Sequence, residues 1–155
     1  MEKDTLNITP FSKLHHISIV VKNAEKAQKF YESIGIGPWE DYPPMKEYVK
    51  IKVPDEKGFY NLKIKTARIG PVQLQLVEPG PGASLYKDHL DKKGEGVYHL
   101  GFEVDDINAT DSKIKALGLE VLASGRRENG SGFSYLKTES EAGVVLLVRQ
   151  SPPAE

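Results

Sequence analysis

The chain contains no cysteine among its 155 residues, which excludes disulfides, thiolate nucleophiles and cysteine-ligated zinc. It has no apolar run near the roughly 20 residues that span a bilayer, and its opening Met1–Asp4 lacks the pattern of a signal peptide. Neither sign of charge dominates, since the chain has 21 Lys and Arg and 22 Asp and Glu. It also lacks a dense basic segment that could bind the phosphate backbone of a nucleic acid. These absences predict a cytoplasmic protein with neither a nucleic-acid nor a membrane partner.

What is present is the composition of an ordinary globular domain. With 39% hydrophobic and 28% charged residues, the chain can bury a real core. Its length fits one domain of about 100 to 200 residues. We therefore predict a single domain over residues 13–150, with residues 1–12 and 151–155 as tails. Because cysteine is absent, any metal ion has to be held by His, Gln, Asp or Glu.

The chain repeats itself at a distance of 83 residues. Leu14–Val21 aligns with Val97–Val104 without a gap, and His16 falls on His99. Both runs are rich in β-branched and aromatic residues, which favours strands over helices. Internal symmetry of this kind predicts two copies of one structural module.

A helix signal follows each of the two aligned strands. Asn23 and Asp106 are suited to cap a helix N-terminus, and apolar residues then recur at helical spacing. We predict helices over residues 23–34 and 106–117. Each predicted helix is followed by a helix-ending glycine, Gly35 or Gly118.

Three further strand-like runs follow the helix in each copy. They cover residues 48–53, 61–69 and 72–77 in the first copy, and 120–124, 133–138 and 144–149 in the second. The predicted fold class is therefore α+β, with two tandem βαβββ modules at about 13–78 and 96–149. The Pro- and Gly-rich start of residues 79–96 predicts a bridge between the modules.

Four segments follow one another along the chain, Leu14–Ile17, Val72–Pro79, Gly94–His99 and Gly143–Val148. In this order they resemble the vicinal oxygen chelate superfamily, the glyoxalase, bleomycin-resistance and extradiol-dioxygenase group. The resemblance covers roughly residues 13–150, and the spacing is most similar to the methylmalonyl-CoA epimerase and glyoxalase-like branch. It implies that eight strands form one β-sheet cup with the helices outside, and that the protein is a homodimer binding a small molecule.

The resemblance also implies a set of metal ligands on the first and last strands of each module. The four positions are here His16, Gln75, His99 and Leu147. The fourth is usually a glutamate, and leucine cannot ligate an ion. The remaining His, His and Gln set suits Zn, Ni, Co, Mn or Fe, but binds more weakly than a set with a carboxylate. The alternatives are hydrogen-bonded histidines in a half-buried sheet and an exposed, alternating glutamine.

No other carboxylate clearly replaces the missing glutamate. Glu103 shares a strand face with His99, but four residues of strand place it about 13 Å away. Glu141 reaches the site only if the turn at residues 139–143 folds back. His15 and Tyr98 face the opposite side of their strands, which favours a packing role or a supporting role behind the ligands.

Aromatic residues and two arginines are further candidates for contacts with an organic ligand. The aromatic candidates are Trp39, Tyr42, Tyr48, Tyr60 and Phe133. Residues 125–132, which include Arg126 and Arg127, predict a flexible loop that can meet a carboxylate or a CoA phosphate. A solvated loop without a ligand is the simpler interpretation.

Two classes of function fit these residues. The first is a metal-assisted isomerase, epimerase or lyase, similar to methylmalonyl-CoA epimerase or lactoylglutathione lyase, in which an ion stabilises an enediolate next to a carbonyl or thioester. The sequence assigns no catalytic base to it. The second is a non-catalytic protein that sequesters a ligand, as bleomycin-resistance proteins do, and Leu147 favours it. An extradiol dioxygenase ranks third because its iron triad needs a carboxylate.

Overall fold

The computed structural model describes residues 9–43 and 48–153, and these contain nine strands and five helices in an α+β architecture. The strands are β1 (Leu14–Val20), β2 (Trp39–Asp41), β3 (Tyr48–Lys52), β4 (Lys63–Ile69), β5 (Val72–Glu78), β6 (Gly96–Glu103), β7 (Val121–Arg127), β8 (Gly132–Leu136) and β9 (Val145–Gln150). The helices are α1 (Ala24–Ser33), α2 (Glu56–Tyr60), α3 (Leu85–Lys93), α4 (Ile107–Ala116) and α5 (Glu139–Ala142). Within the described ranges, no helix has the length and apolarity needed to cross a membrane.

The two helices predicted from the repeat, α1 and α4, are confirmed. The side chains of Asn23 and Asp106 each accept a backbone N–H from the first turn, which satisfies donors that the helix itself leaves open. Both helices end before a glycine with positive φ, 91° at Gly35 and 80° at Gly118. A residue without a Cβ adopts this conformation at low cost.

The strand count differs from the prediction of eight. The additional strand is β2, which is only three residues long and pairs antiparallel with β4. The strand predicted over residues 48–53 is present as β3, but it pairs with β7 of the second copy. Helix α3 occupies much of the predicted bridge and begins at the capping residue Ser84.

The predicted flexible loop at residues 125–132 is wrong in its first part, because β7 continues to Arg127. Arg126 forms an ion pair with Asp111 on α4 and donates to the backbone oxygen of Phe133. The guanidinium of Arg127 lies 4.9 Å from the ring centroid of Tyr48, and this residue is only 9% exposed. Both arginines therefore make contacts that hold the fold.

The chain divides into two compact units. The first, which we call the histidine unit, comprises residues 16–43 and 53–99 of the described chain. Its strand order is β2-β4-β5-β1-β6. Helix α1 packs on one face of this sheet through a core of Val21, Ala24 and Leu76. Since side chains alternate along a strand, residues next to Leu76 on β5 face the other way.

The second unit, which we call the arginine unit, comprises the described residues 9–15, 48–52 and 100–153. Its strand order is β6-β9-β8-β7-β3. Helix α4 packs on one face through Ile107, Ile114, Leu136 and Val148. Leu147, the neighbour of Val148, points away from the α4 face and is 4% exposed.

Candidate functional site

A buried polar surface covers the face of the histidine unit that points away from α1. Strands β1 and β5 run parallel, with Ser18 beside Gln75 and His16 beside Gln73. The next strand, β4, places Thr66 beside Gln75. Four of these five residues are less than 9% exposed. We call His16, Ser18, Thr66, Gln73 and Gln75, together with His99 of β6, the polar face.

The centre of the polar face is a contact between two histidines. Nε2 of His16 lies 2.8 Å from Nε2 of His99, and the ring planes are nearly perpendicular at 85°. A hydrogen bond at this distance requires that one ring nitrogen donates and the other offers a lone pair. At least one Nε2 is therefore an acceptor in this arrangement.

His99 is held in a dry, aromatic environment. It is 1% exposed, and the rings of Tyr98 and Tyr86 lie 5.8 and 6.0 Å from its ring centroid. Burial disfavours the charged imidazolium and lowers the pKa of His99 to about 3. The ring is therefore neutral at physiological pH, which is the form that ligates a metal.

Gln75 belongs to the same face but is engaged by a neighbouring glutamine. Its Nε2 donates to Oε1 of Gln73 at 2.8 Å, and the residue is 7% exposed. The exposed, alternating glutamine considered from the sequence does not describe a residue this buried. Its role as a ligand stays a prediction.

Ser18 is a residue of this face for which the sequence predicted no role. It is 0% exposed, and its Oγ has no hydrogen-bond partner among the described residues. A buried hydroxyl left without a partner costs about 1–3 kcal/mol. The available signal was its register, because Ser18 lies two residues from His16 and therefore shares its strand face.

The residues that the sequence raised as replacements for the missing glutamate lie elsewhere. Glu103 belongs to the arginine unit, where Arg149 donates to its Oε1 at 3.2 Å. Arg149 also lies 2.6 Å from Nε2 of His15. Leu147 lies on β9 of the same unit, beside Tyr135 on β8.

The aromatic candidates divide between the two units. Trp39 packs against Tyr31 of α1 and belongs to the helix-packed core of the histidine unit. Tyr48 and Phe133 meet edge to face in the arginine unit, with centroids 5.2 Å apart. Trp39 is therefore a partly buried residue that packs against this core.

The distance between the Nε2 atoms of His16 and His99 is close to the separation of two nitrogens that bind one divalent ion. Two nitrogens, each about 2.1 Å from one ion, lie about 3.0 Å apart when their bonds meet at a right angle. The 2.8 Å between the two Nε2 atoms is close to that value. Within residues 9–43 and 48–153, no three His, Cys, Asp or Glu side chains come together in a way that could hold an ion. A metal here thus depends on the histidine pair with an amide or hydroxyl oxygen.

The chain belongs to the glyoxalase/bleomycin resistance protein/dioxygenase superfamily, whose family model matches residues 15–136. This match confirms the family inferred from the four sequence segments.

Within this family, the chain is similar to proteins described as methylmalonyl-CoA epimerases. It is 24% identical to the human mitochondrial methylmalonyl-CoA epimerase over 157 residues, covering 97% of this chain and 81% of that protein. It is 23% identical to the ethylmalonyl-CoA/methylmalonyl-CoA epimerase of Cereibacter sphaeroides over 120 residues, covering 77% and 81%.

Solved structures of such epimerases share the fold. The Mycobacterium tuberculosis methylmalonyl-CoA epimerase matches with a TM-score of 0.69 at 20% identity, over 94% of this chain and 92% of that one. A Streptomyces coelicolor methylmalonyl-CoA epimerase variant in complex with 2-nitronate-propionyl-CoA matches with a TM-score of 0.68 at 25% identity, over 91% and 98%.

Proposed function

We propose that this chain is a metal-assisted isomerase of a small carbonyl or acyl-thioester compound, acting at the carbon next to the carbonyl. His16, His99 and Gln75 are the proposed ligands of a divalent ion. The observation that carries the proposal is the buried contact of the two Nε2 atoms at 2.8 Å. Two imidazoles that converge in this way are the usual nitrogen donors for such an ion.

The family relationship supports the substrate class. The Streptomyces coelicolor protein is bound to an acyl-CoA analogue, and another methylmalonyl-CoA epimerase structure, 25% identical to this chain, contains methylmalonyl-CoA and NH4+. Acyl-CoA thioesters have an acidic C–H next to the thioester carbonyl, which suits the proposed reaction.

The protein's own residues have defined tasks in this proposal. A divalent ion held by His16, His99 and Gln75 would supply Lewis-acid stabilisation for negative charge on a substrate oxygen. The Nε2 atom of a neutral imidazole offers a lone pair only when the proton of the ring lies on Nδ1. One of the two rings would therefore have to change tautomer for the contact between the histidines to give way to bonds to an ion. Burial of His16 and His99, 4% and 1% exposed, keeps water from the donor atoms.

Proton exchange in deuterated water tests the proposal. The protein is freed of metal with a chelator, loaded with Co²⁺ or Ni²⁺, and incubated with methylmalonyl-CoA while the C2 proton is followed by NMR. We expect exchange that depends on the ion and is lost in His16→Ala. His89→Gln, which changes a histidine on α3, is the matched control and should keep the activity. A loaded protein that binds the thioester but exchanges no proton contradicts the isomerase.

A sequestering protein is the second candidate, favoured by Leu147. Aligning the last strand-like run of each copy, residues 72–77 on residues 144–149, gives Leu147 the position of Gln75, so the second copy offers no donor atom where the first has one. Tight ligand binding by a chelator-treated protein, together with no exchange at any metal loading, identifies this function.

A further inference from the structure

Two fully buried serines of the chain differ in their hydrogen bonding. Ser18 and Ser134 are both 0% exposed and both lie on strands. Ser134 is fully engaged, because its Oγ donates to Asp111 at 3.1 Å and accepts from Arg126 at 3.0 Å. Ser18 Oγ has no such partner within the residues that the structure describes. Buried hydroxyls are normally hydrogen-bonded, so the Ser18 hydroxyl needs an explanation.

Two facts connect this hydroxyl to the polar face. Ser18 is the register neighbour of Gln75 and lies two residues along β1 from His16, on the same side of the sheet. The repeat-related residue of the second copy is Gly101, which has no side chain. The hydroxyl is therefore not a requirement of the module itself, and it occurs only in the copy that has Gln75.

We propose that the Ser18 hydroxyl donates a hydrogen bond to an oxygen atom of the molecule bound at His16, His99 and Gln75. The ligand class is a compound with a carbonyl or carboxylate oxygen, which accepts a hydroxyl proton. The inference rests on the proposed function for the position of this molecule. It adds a residue that selects for an oxygen acceptor, as a positioning and specificity group beside the metal ligands.

Replacing each serine by alanine separates this role from a structural one. Wild type, Ser18→Ala and Ser134→Ala are first unfolded thermally without metal, then titrated with Ni²⁺, and then titrated with oxalate as a small oxygen ligand. Ser18→Ala should unfold at the same temperature as wild type or a few degrees higher, because it removes an unsatisfied group. Its Ni²⁺ affinity should stay within about twofold, while its oxalate affinity falls about five- to tenfold.

Ser134→Ala should show the opposite pattern, with a lower unfolding temperature and unchanged oxalate binding. A Ser18→Ala protein that loses stability as Ser134→Ala does, or that binds oxalate as wild type does, overturns the Ser18 assignment. If wild type binds no Ni²⁺ but metal-free wild type binds oxalate more tightly than Ser18→Ala, the metal proposal falls and the Ser18 assignment stands. If wild type binds no oxalate either with Ni²⁺ or without it, the Ser18 assignment is overturned.

Discussion

The two units place different chemistry on equivalent strands. On β5 of the histidine unit, Gln75 lies beside Thr66, whereas the repeat-related Leu147 on β9 of the arginine unit lies beside Tyr135. The helix-packed positions have not diverged in this way. Leu76 and its counterpart Val148 are both apolar and both 0% exposed.

This difference shows which structural constraints the two copies of the repeat still have in common. The helix-packed face of each unit is under the same packing demand, because α1 and α4 bury it in the same manner. The opposite faces are free to differ. The histidine unit provides oxygen and nitrogen donors, and the arginine unit provides aromatic and ionic contacts that stabilise the fold.

Removing His16 or His99 is expected to have the largest effect, because these residues give the histidine unit the proposed metal-binding capacity that distinguishes it from the arginine unit. His99→Ala or His16→Ala deletes one of two nitrogen donors, so divalent-ion affinity should fall at least about 100-fold. Titration calorimetry with Ni²⁺ and Zn²⁺ measures it, with His89→Gln as the control. Retention of wild-type affinity in either alanine variant rules out the histidine pair as the metal site.

Arg126→Met tests the stabilising role of the arginine unit. It removes the guanidinium that donates to Asp111, to Ser134 and to the backbone oxygen of Phe133, so we expect a loss of about 2 kcal/mol in the free energy of unfolding. Metal affinity should not change. Lys63→Met is the control, because its ion pair with Glu78 is long, at 3.9 Å, and exposed, and its loss should cost less than about 0.5 kcal/mol. Equal losses in the two variants, measured by urea unfolding, contradict this division of roles.

The pH dependence of stability tests the burial of His99. Its pKa is about 3 in the folded protein against 6.5 as the ordinary value, so between these pH values the unfolded chain binds a proton that the folded chain does not. Stability should therefore rise with pH in this window, and acidifying the metal-free protein from pH 6.5 to 5 should cost up to about 2 kcal/mol. His99→Gln should flatten this dependence, as measured by urea unfolding across the range. Parallel curves for the two proteins would show that His99 is not the group responsible.

The smallest expected effect comes from making the two copies more alike at Leu147. Leu147→Glu supplies the carboxylate that the family pattern predicts, and we expect divalent-ion affinity to rise about tenfold. The metal-free variant should be less stable, because the carboxylate replaces a residue that is 4% exposed. Leu122→Glu adds the same charge at a strand position that is 37% exposed and should leave ion affinity unchanged. An unchanged affinity in Leu147→Glu shows that the fourth ligand position was assigned to the wrong residue.

The sequence predicted those features that depend on local residues or on the repeat. Asn23 and Asp106 marked the starts of α1 and α4, because an N-cap acts within one turn. The repeat also identified His16 and His99, whose Nε2 atoms meet in the structure. It could not predict that Gln75 donates to Gln73, since both residues alternate regularly along one strand.

Features that depend on distant partners were missed. Arg126 looked like part of a solvated loop because Gly125 precedes it, but its partner Asp111 lies 15 residues earlier on α4. Strand β2 has three residues, too few for alternation to show. That the hydroxyl of Ser18 has no hydrogen-bond partner among the described residues can be recognised only when the surroundings of the side chain are known.

The pairing of β3 with β7 has a consequence for how the chain acquires its structure. Tyr48 hydrogen-bonds to Arg127, 79 residues later, so this strand cannot find its neighbour until most of the polypeptide has left the ribosome. At about 5–20 residues per second, the delay is several seconds. A chain cut between the two copies would separate β3 from its only described neighbour strand. We therefore expect that the two halves of the duplicated sequence do not fold independently and that contacts of high sequence separation form late.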